Sequence, residues 1–457
     1  MLERRGLVVS LSLGLLVGLT ATALAWRETP KHREPAPLPT SIGRPKAAPP
    51  VDPEPLEESP TGLVLPAGMI RPDRARPDKS GKRLIQDLGQ RGTLEYSLDP
   101  KVQAAAIETL EKADVPYGAL VAIEPTTGRV LAYVSYSATQ PGLVKVPVMA
   151  NPPAASVFKL ITGAALLEHG KVTPEEQVCY HGGHRGLTAD NLIDDPLRDT
   201  KCESLAVAIG KSTNQVFGKL ADRRLSSAVL DKYARAFRFG AALPFDLAVE
   251  TSQAHLPPDP APEADGKPKG DAADHVNAID ATRLERARTA AGFYNTHMSP
   301  LHAALVAAAI GNQGLMMTPH LVASHRMDDT LLYQATPVPI GRVIEPATAS
   351  ALADMMVTTT TIGTAGAYFR NRSSVLDGVD VAGKTGSLTA KGDDGSRLLF
   401  SWWVGFAPAK NPEIAIAALA VNNEQWRLKG ALLARKALEA WWAEHHAPVP
   451  RHARARR

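Results

Sequence analysis

The sequence predicts an α/β fold in which strands near both ends of the folded region form one antiparallel sheet. Three observations support it: two early apolar runs joined by a turn, an alanine-rich helical middle, and a late group of apolar runs. The early runs are Ala119–Ile123 and Arg129–Val134, and the late runs are Val379–Gly383, Phe400–Phe406 and Ile414–Ala420.

The elements follow from local residue chemistry. Pro125 presets φ in the turn between the early strands, and Gly128 can take the positive φ that such a turn needs. After two prolines, the pattern predicts a helix over Ala154–His169 that ends at Gly170. Further alanine-rich helices are predicted over Ser204–Leu220 and Leu301–Ile310.

Composition excludes several classes of protein. The chain has 457 residues, of which 44% are hydrophobic, so it is not disordered throughout. At about 150 residues per domain this length allows up to three domains. A net charge of +4 is too small to indicate a nucleic-acid partner, and 2 cysteines cannot build a disulfide-rich mini-protein.

The N-terminal segment, residues 1–26, determines the expected compartment. Arg4 and Arg5 precede an uncharged apolar run from Gly6 to Ala25. About 20 apolar residues can span a bilayer, and the preceding positive charge places the rest of the chain outside the cytoplasm. Ala23-Leu24-Ala25 also fits a signal-peptide cleavage site, and a buried core helix is a third interpretation. An uncleaved single-pass anchor in the cytoplasmic membrane, with a periplasmic or extracellular domain, is favoured.

Proline distribution divides the remainder of the chain. Residues 27–83 hold a large share of the 37 prolines and are predicted to form an extended linker. Residues 84–444 are predicted to form the folded domain, with Leu256–Asp271 as a surface loop. Residues 445–457 form a basic tail.

The first candidate motif is Ser156-Val157-Phe158-Lys159. Three residues apart on a helix, Ser156 and Lys159 lie on one face within reach of each other. A lysine whose pKa is lowered by burial or by neighbouring charge can take the proton from a serine nucleophile. By itself the pattern is common and equally fits an ordinary surface pair.

Two further motifs follow. Ser212-Thr213-Asn214 offers a hydroxyl that can relay a proton and an amide that can orient a lysine or a substrate carbonyl. In Lys384-Thr385-Gly386-Ser387, Gly386 lets a ligand backbone approach the strand, whose edge can pair with an extended peptide. A phosphate-binding loop is excluded because its glycine pattern is missing. Taken alone, the first of these two motifs also fits an ordinary loop triplet, and the second also fits a basic surface hairpin.

In this order the three motifs form a known catalytic set. The sequence resembles the transpeptidase domain of penicillin-binding proteins, of the high-molecular-weight monofunctional type with a reduced N-terminal region. Similar segments include the strand pair over 118–136, Met298–Ala303 and Trp403–Pro408. The resemblance implies a five-stranded antiparallel sheet flanked by helices, with an all-helical subdomain, as in penicillin-binding proteins and β-lactamases.

The resemblance also implies roles for the motif residues. Ser156 would be acylated and Lys159 would be its base, with Ser212 and Asn214 completing the proton relay. Lys384 would supply positive charge, and Thr385, Gly386 and Ser387 would bind the substrate. The implied reaction cross-links peptidoglycan stem peptides that end in d-alanyl-d-alanine, and β-lactams would acylate the same serine. No cofactor, metal or nucleic acid is implied, and a glycosyltransferase partner is expected because the N-terminal region has no room for such a domain.

Some features depart from the family or leave alternatives open. Pro153-Ala154-Ala155 stands where many members have Pro-Gly, and Ser387 replaces a more frequent threonine. Cys179 and Cys202 predict a disulfide in an exported protein, although a zinc site with His181 and His184, or two free thiols, remains open.

The motifs do not separate cross-linking from hydrolysis. A d,d-carboxypeptidase or a β-lactamase-like hydrolase would use the same residues and resolve the acyl-enzyme with water. A catalytically weak penicillin-binding sensor or scaffold is a further alternative. The expected function is nevertheless a serine d,d-transpeptidase.

Overall fold

The computed structural model describes residues 62–66, 68–183, 186–259, 281–293, 295–370, 373–392 and 395–446. The predicted anchor, most of the linker, most of the loop after Leu256 and nearly all of the basic tail lie outside these residues. Within the described ranges, no helix combines the length and apolar character needed to cross a bilayer.

Strands and helices alternate along the described chain. The strands are β1 Arg76–Pro77, β2 Leu84–Asp87, β3 Thr93–Tyr96, β4 Tyr117–Ile123, β5 Val130–Tyr136, β6 Gln177–Tyr180, β7 Lys201–Ser204, β8 Gln253–Ala254, β9 Thr296–His297, β10 Leu315–Met317, β11 Val322–Met327, β12 Thr330–Gln334, β13 Pro339–Arg342, β14 Ala382–Lys391, β15 Arg397–Ala407 and β16 Ile414–Asn422. The α-helices are α1 Pro100–Ala113, α2 Lys159–Glu168, α3 Leu205–Lys211, α4 Asn214–Arg224, α5 Ser227–Ala236, α6 Ala281–Ala290, α7 Pro300–Gly311, α8 Pro346–Thr361, α9 Gly366–Phe369 and α10 Gly430–His445.

The central sheet confirms the predicted fold class. Its five strands lie in the order β14-β15-β16-β4-β5, and every neighbouring pair is antiparallel. The late strands therefore pair with the early ones, as the apolar runs indicated. β14 lies at one edge of the sheet, which leaves one side of this strand open to a further strand.

Helices cover both faces of this sheet. α1 and α10 pack on one face, and α7 packs on the other. The adjacent residues Trp402 and Trp403 are fully buried and belong to separate hydrophobic clusters, because neighbouring residues on a strand point to opposite faces. Helices α2 to α5 pack together and correspond to the predicted helical subdomain. The two-stranded β6–β7 hairpin packs against this subdomain.

The end of the predicted linker is part of the folded domain, which corrects the expected boundary at residue 83. β1 pairs with β2 in a second sheet of order β1-β2-β3-β11-β12. Leu63 and Leu65 are buried in the main hydrophobic cluster. These leucines bury apolar surface on the domain, which outweighs the extended preference of the nearby prolines.

Two predicted helices are each interrupted. Residues 154–169 form a 3₁₀ turn over Ala155–Phe158 followed by α2. Residues 204–220 form α3 and α4, because Ser212 adopts a left-handed conformation with φ of 60°. Both interruptions coincide with the candidate motifs.

Candidate active site

Ser156 lies in the 3₁₀ turn that leads into α2, one turn before Lys159. The indole Nε1 of Trp402 donates to the carbonyl oxygen of Pro153 at 2.9 Å, which ties the start of this turn to the central sheet. A Cβ on Gly386 would lie 3.2 Å from both Val157 Cγ2 and Trp402 Cβ, so the small residue lets β14 pass close to the serine turn.

Lys159 is fully buried beside the serine. Its Nζ lies 2.9 Å from Ser156 Oγ, donates to Asn214 Oδ1 at 2.7 Å, and also donates to the carbonyl oxygen of Ala291. Burial, and then the charge of Lys384, lower the pKa of Lys159 well below its ordinary value of 10.5. A neutral amine in contact with a serine hydroxyl can act as its general base.

Ser212 and Asn214 lie at the junction of α3 and α4. Ser212 is the residue that ends α3, and Asn214 is the first residue of α4. The left-handed Ser212 turns its hydroxyl toward β14, while Asn214 faces Lys159. The junction therefore connects the two lysines of the site.

Lys384 is buried on β14 and completes this network. Its Nζ donates to Ser212 Oγ at 2.9 Å and to the carbonyl oxygen of Thr385 at 2.8 Å. Burial lowers its pKa from 10.5 to about 7. The contacts form two sets, one that joins Ser156, Lys159 and Asn214 and one that joins Lys384 and Ser212, and the backbone of the α3–α4 junction connects them.

The remaining residues of the third motif line the edge strand. Thr385 is half-buried, and its Oγ1 lies 2.5 Å from Oγ1 of Thr364. Gly386 is buried and Ser387 is exposed. An exposed hydroxyl and an edge strand beside a buried ammonium suit an extended peptide that ends in a carboxylate.

A family model described as the penicillin-binding protein transpeptidase domain matches residues 118–439, the span that contains all three motifs. The chain belongs to the penicillin-binding protein transpeptidase family. The peptidoglycan D,D-transpeptidase PbpA of Mycolicibacterium smegmatis is 28% identical to it, over 72% of this chain and 67% of the relative.

Solved structures of the transpeptidase family share the fold. The crystal structure of PbpA from Mycobacterium tuberculosis has a TM-score of 0.57 and 26% identity, covering 76% of this chain and 80% of that one. The penicillin G acyl-enzyme complex of the same protein has a TM-score of 0.55, with the same identity and coverage. That relative therefore forms a covalent complex with a β-lactam.

The cysteines lie on the hairpin next to the candidate site. Cys179 on β6 and Cys202 on β7 stand opposite each other and are joined by a disulfide. The zinc and free-thiol alternatives are therefore wrong: both sulfurs are bonded to each other, and His181 contacts Asp199 and Asp190 instead. His184 lies outside the described residues.

Sequence reasoning missed several residues of the candidate site. Ala291 contributes a backbone carbonyl, Phe217 places its ring 5.5 Å from Lys159 Nζ, and Thr364 contacts Thr385. Gly292 is the sequence feature that could have indicated this part of the site. Its φ is 82°, and a Cβ there would lie 2.1 Å from the carbonyl oxygen of Ala155.

Replacing Ala155 by glycine is expected to stabilise the domain. Ala155 has a φ of 50°, in the left-handed region that favours glycine. A left-handed conformation costs a non-glycine residue about 1–2 kcal/mol, and the added freedom of glycine in the unfolded chain offsets part of the gain. Chemical denaturation should show an increase of about 0.5–1 kcal/mol in the free energy of unfolding.

Ala154 provides the matched control, since it is equally buried but has a φ of −63°. Ala154→Gly should destabilise the domain by about 0.5–1 kcal/mol. Equal destabilisation by both substitutions would show that Ala155 is not strained.

Proposed function

We propose that this chain is a peptidoglycan d,d-transpeptidase that works through an acyl-enzyme on Ser156. The contact between the buried Lys159 Nζ and Ser156 Oγ, at 2.9 Å, carries the proposal. The names of its relatives and the β-lactam complexes of PbpA support the same reaction class.

In the proposed first step, Lys159 takes the proton of Ser156 while Oγ attacks the carbonyl carbon between the two terminal d-alanines. The tetrahedral intermediate places its negative oxygen between the backbone N–H groups of Ser156 and Ser387. One such donor contributes about 3–4 kcal/mol in well-studied enzymes. The carbon–nitrogen bond then breaks, and the proton passes through Ser212 to the leaving amine of d-alanine.

Lys384 and the edge strand would hold the peptide. The ammonium of Lys384 and the hydroxyls of Thr385 and Ser387 bind the terminal carboxylate, and the peptide backbone lies along β14. Asn214 orients the donor stem as well as Lys159. An amine from a second stem peptide then attacks the acyl carbon, the ester bond to Oγ breaks, and Lys159 carries a proton from the amine to Ser156 Oγ, which leaves the cross-linked peptide and free Ser156.

The same proposal includes where the segments of the chain lie relative to the membrane. Residues 1–26 anchor the chain in the cytoplasmic membrane, and the proline-rich segment after them spaces the domain from the bilayer. The catalytic domain is then periplasmic or extracellular and acts beside a glycosyltransferase partner that supplies glycan strands.

Product analysis tests the proposal. The chain and its Ser156→Ala variant are incubated with fluorescent penicillin and, separately, with stem pentapeptide and an acceptor amine. We expect a serine-dependent label and serine-dependent cross-linked dimers with release of d-alanine. Hydrolysed peptide without dimers would identify a d,d-carboxypeptidase, and hydrolysed penicillin a β-lactamase-like enzyme. Label without dimers or hydrolysed products would indicate the penicillin-binding sensor, and absence of any label would leave only a scaffold role.

A further inference from the structure

The disulfide-linked hairpin lies directly before the junction that carries Ser212 and Asn214. β7 runs into α3 without an intervening loop, and α3 ends at Ser212. Glu203 follows Cys202 on β7, and its side chain is buried. The hairpin thus places the buried carboxylate of Glu203 next to the junction of α3 and α4.

This carboxylate holds both neighbours of Ser212. Oε2 of Glu203 accepts a hydrogen bond from Thr213 Oγ1 at 2.6 Å, and Oε1 accepts one from Lys211 Nζ at 3.0 Å. Thr213 is fully buried, so its hydroxyl has no access to water as an alternative partner. Glu203 therefore binds the side chains on either side of the proposed relay serine.

The junction needs such support because Ser212 is left-handed, with φ of 60°. A non-glycine residue keeps this conformation where its surroundings hold it. Ser212 Oγ must stay within 2.9 Å of Lys384 Nζ, and Asn214 Oδ1 within 2.7 Å of Lys159 Nζ. Small displacements of catalytic groups lower rates strongly.

A second contact connects Glu203 to the other strand of the hairpin. Tyr180 follows Cys179 on β6, so the disulfide joins the residues that precede Tyr180 and Glu203. Burial raises the pKa of Tyr180 to about 12, and the charge and hydrogen bond of Glu203 add to this rise. The covalent link thus restrains the strand that presents the carboxylate.

We infer that Glu203 is a positioning residue for acylation: it holds Ser212 and Asn214 in place through Thr213 and Lys211, and the Cys179–Cys202 disulfide fixes its strand. The inference rests on the proposed function, since it assigns Glu203 to the geometry of the same site. Glu203 itself lies outside the reacting groups.

Two substitutions at Thr213 form the central test. Thr213→Val keeps the shape of the side chain but removes the hydroxyl, whereas Thr213→Ser keeps the hydroxyl. With fluorescent penicillin, we expect the second-order acylation rate constant to fall about 10- to 100-fold in Thr213→Val and to stay within about threefold of wild type in Thr213→Ser. The loss should lie in the acylation step rather than in the affinity of the initial complex.

A distant core variant separates positioning from general destabilisation. Leu110→Val shortens a fully buried side chain of α1 on the far face of the sheet. Its melting temperature is measured beside that of Thr213→Val. Acylation should be unchanged in Leu110→Val even where stability falls. Equal losses of rate in the two variants would overturn the positioning role, as would wild-type acylation by Thr213→Val.

The disulfide is tested with the Cys179→Ser, Cys202→Ser double variant, which should acylate about threefold to tenfold more slowly than wild type. A wild-type rate would remove the disulfide from the inference.

Failure of the proposed function gives a different result: wild type itself would carry no label, and both the function and this inference would be overturned. A labelled wild type with a fully active Thr213→Val overturns the inference alone.

Discussion

Replacing Lys159 by Met is expected to lower the rate of acylation by penicillin about 10³-fold or more. Met fills a similar volume but cannot accept the proton of Ser156, whose Oγ lies 2.9 Å from Lys159 Nζ. The measurement is the second-order rate constant for labelling with fluorescent penicillin, followed over time for wild type and variant. The variant should remain folded, because Met removes a buried amine rather than an apolar group.

Lys159→Arg is the matched control for charge. Arginine keeps the positive charge and stays protonated at every accessible pH, so it cannot serve as a base. If Lys159 acts as the base, both variants lose acylation. Recovery of near wild-type acylation in Lys159→Arg would instead assign Lys159 a purely electrostatic role.

The role of Lys159 as the base also determines how the acylation rate should change with pH. The lowered pKa of Lys159 leaves its amine neutral at higher pH and protonates it as pH falls. Wild-type acylation should therefore decline as pH drops through that pKa. The residual rate of Lys159→Met should lack this decline.

Lys384→Met is expected to make the folded domain more stable while abolishing the proposed binding of the substrate carboxylate. The pKa of Lys384 falls from 10.5 to about 7 in the folded state, so the unfolded chain binds more protons between these values. That gap corresponds to about 5 kcal/mol of destabilisation, which is fully present below pH 7 and disappears as pH rises toward 10.5.

The two hydrogen bonds of Lys384, to Ser212 and to the Thr385 carbonyl, offset part of this gain. A net increase of about 2–4 kcal/mol in the free energy of unfolding is expected at pH 6, and it should shrink steadily toward pH 10. Urea denaturation at a series of pH values measures it. A variant that is less stable than wild type at pH 6 would contradict the expected cost of burying this lysine.

The sequence located the candidate site because each motif is local. Ser156 and Lys159 are one helical turn apart, and Lys384 begins a short, recognisable run on a strand. Their common order then predicted that the three segments meet, and the structure brings them into contact. The apolar runs at the two ends predicted the sheet for the same reason.

Other features depend on tertiary contacts that local chemistry does not encode. Ser204–Leu220 has helical composition throughout, and the break at Ser212 arises where Lys384 and Glu203 hold its surroundings. The Ala291 carbonyl is a backbone group that any residue could supply. Prolines near Leu63 and Leu65 pointed to a linker, whereas burial of the leucines determines the fold there.

The pairing of β16 with β4 has a consequence for how the domain forms. Ala417 lies opposite Val121, 296 residues earlier in the chain. Closing so long a loop is entropically costly, and proteins dominated by such remote contacts fold slowly. If the domain is exported in the order of its sequence, as the proposed anchor implies, the central sheet cannot close until the last strands have emerged. The nascent enzyme would then stay inert toward cell-wall precursors and β-lactams alike until its synthesis is nearly complete.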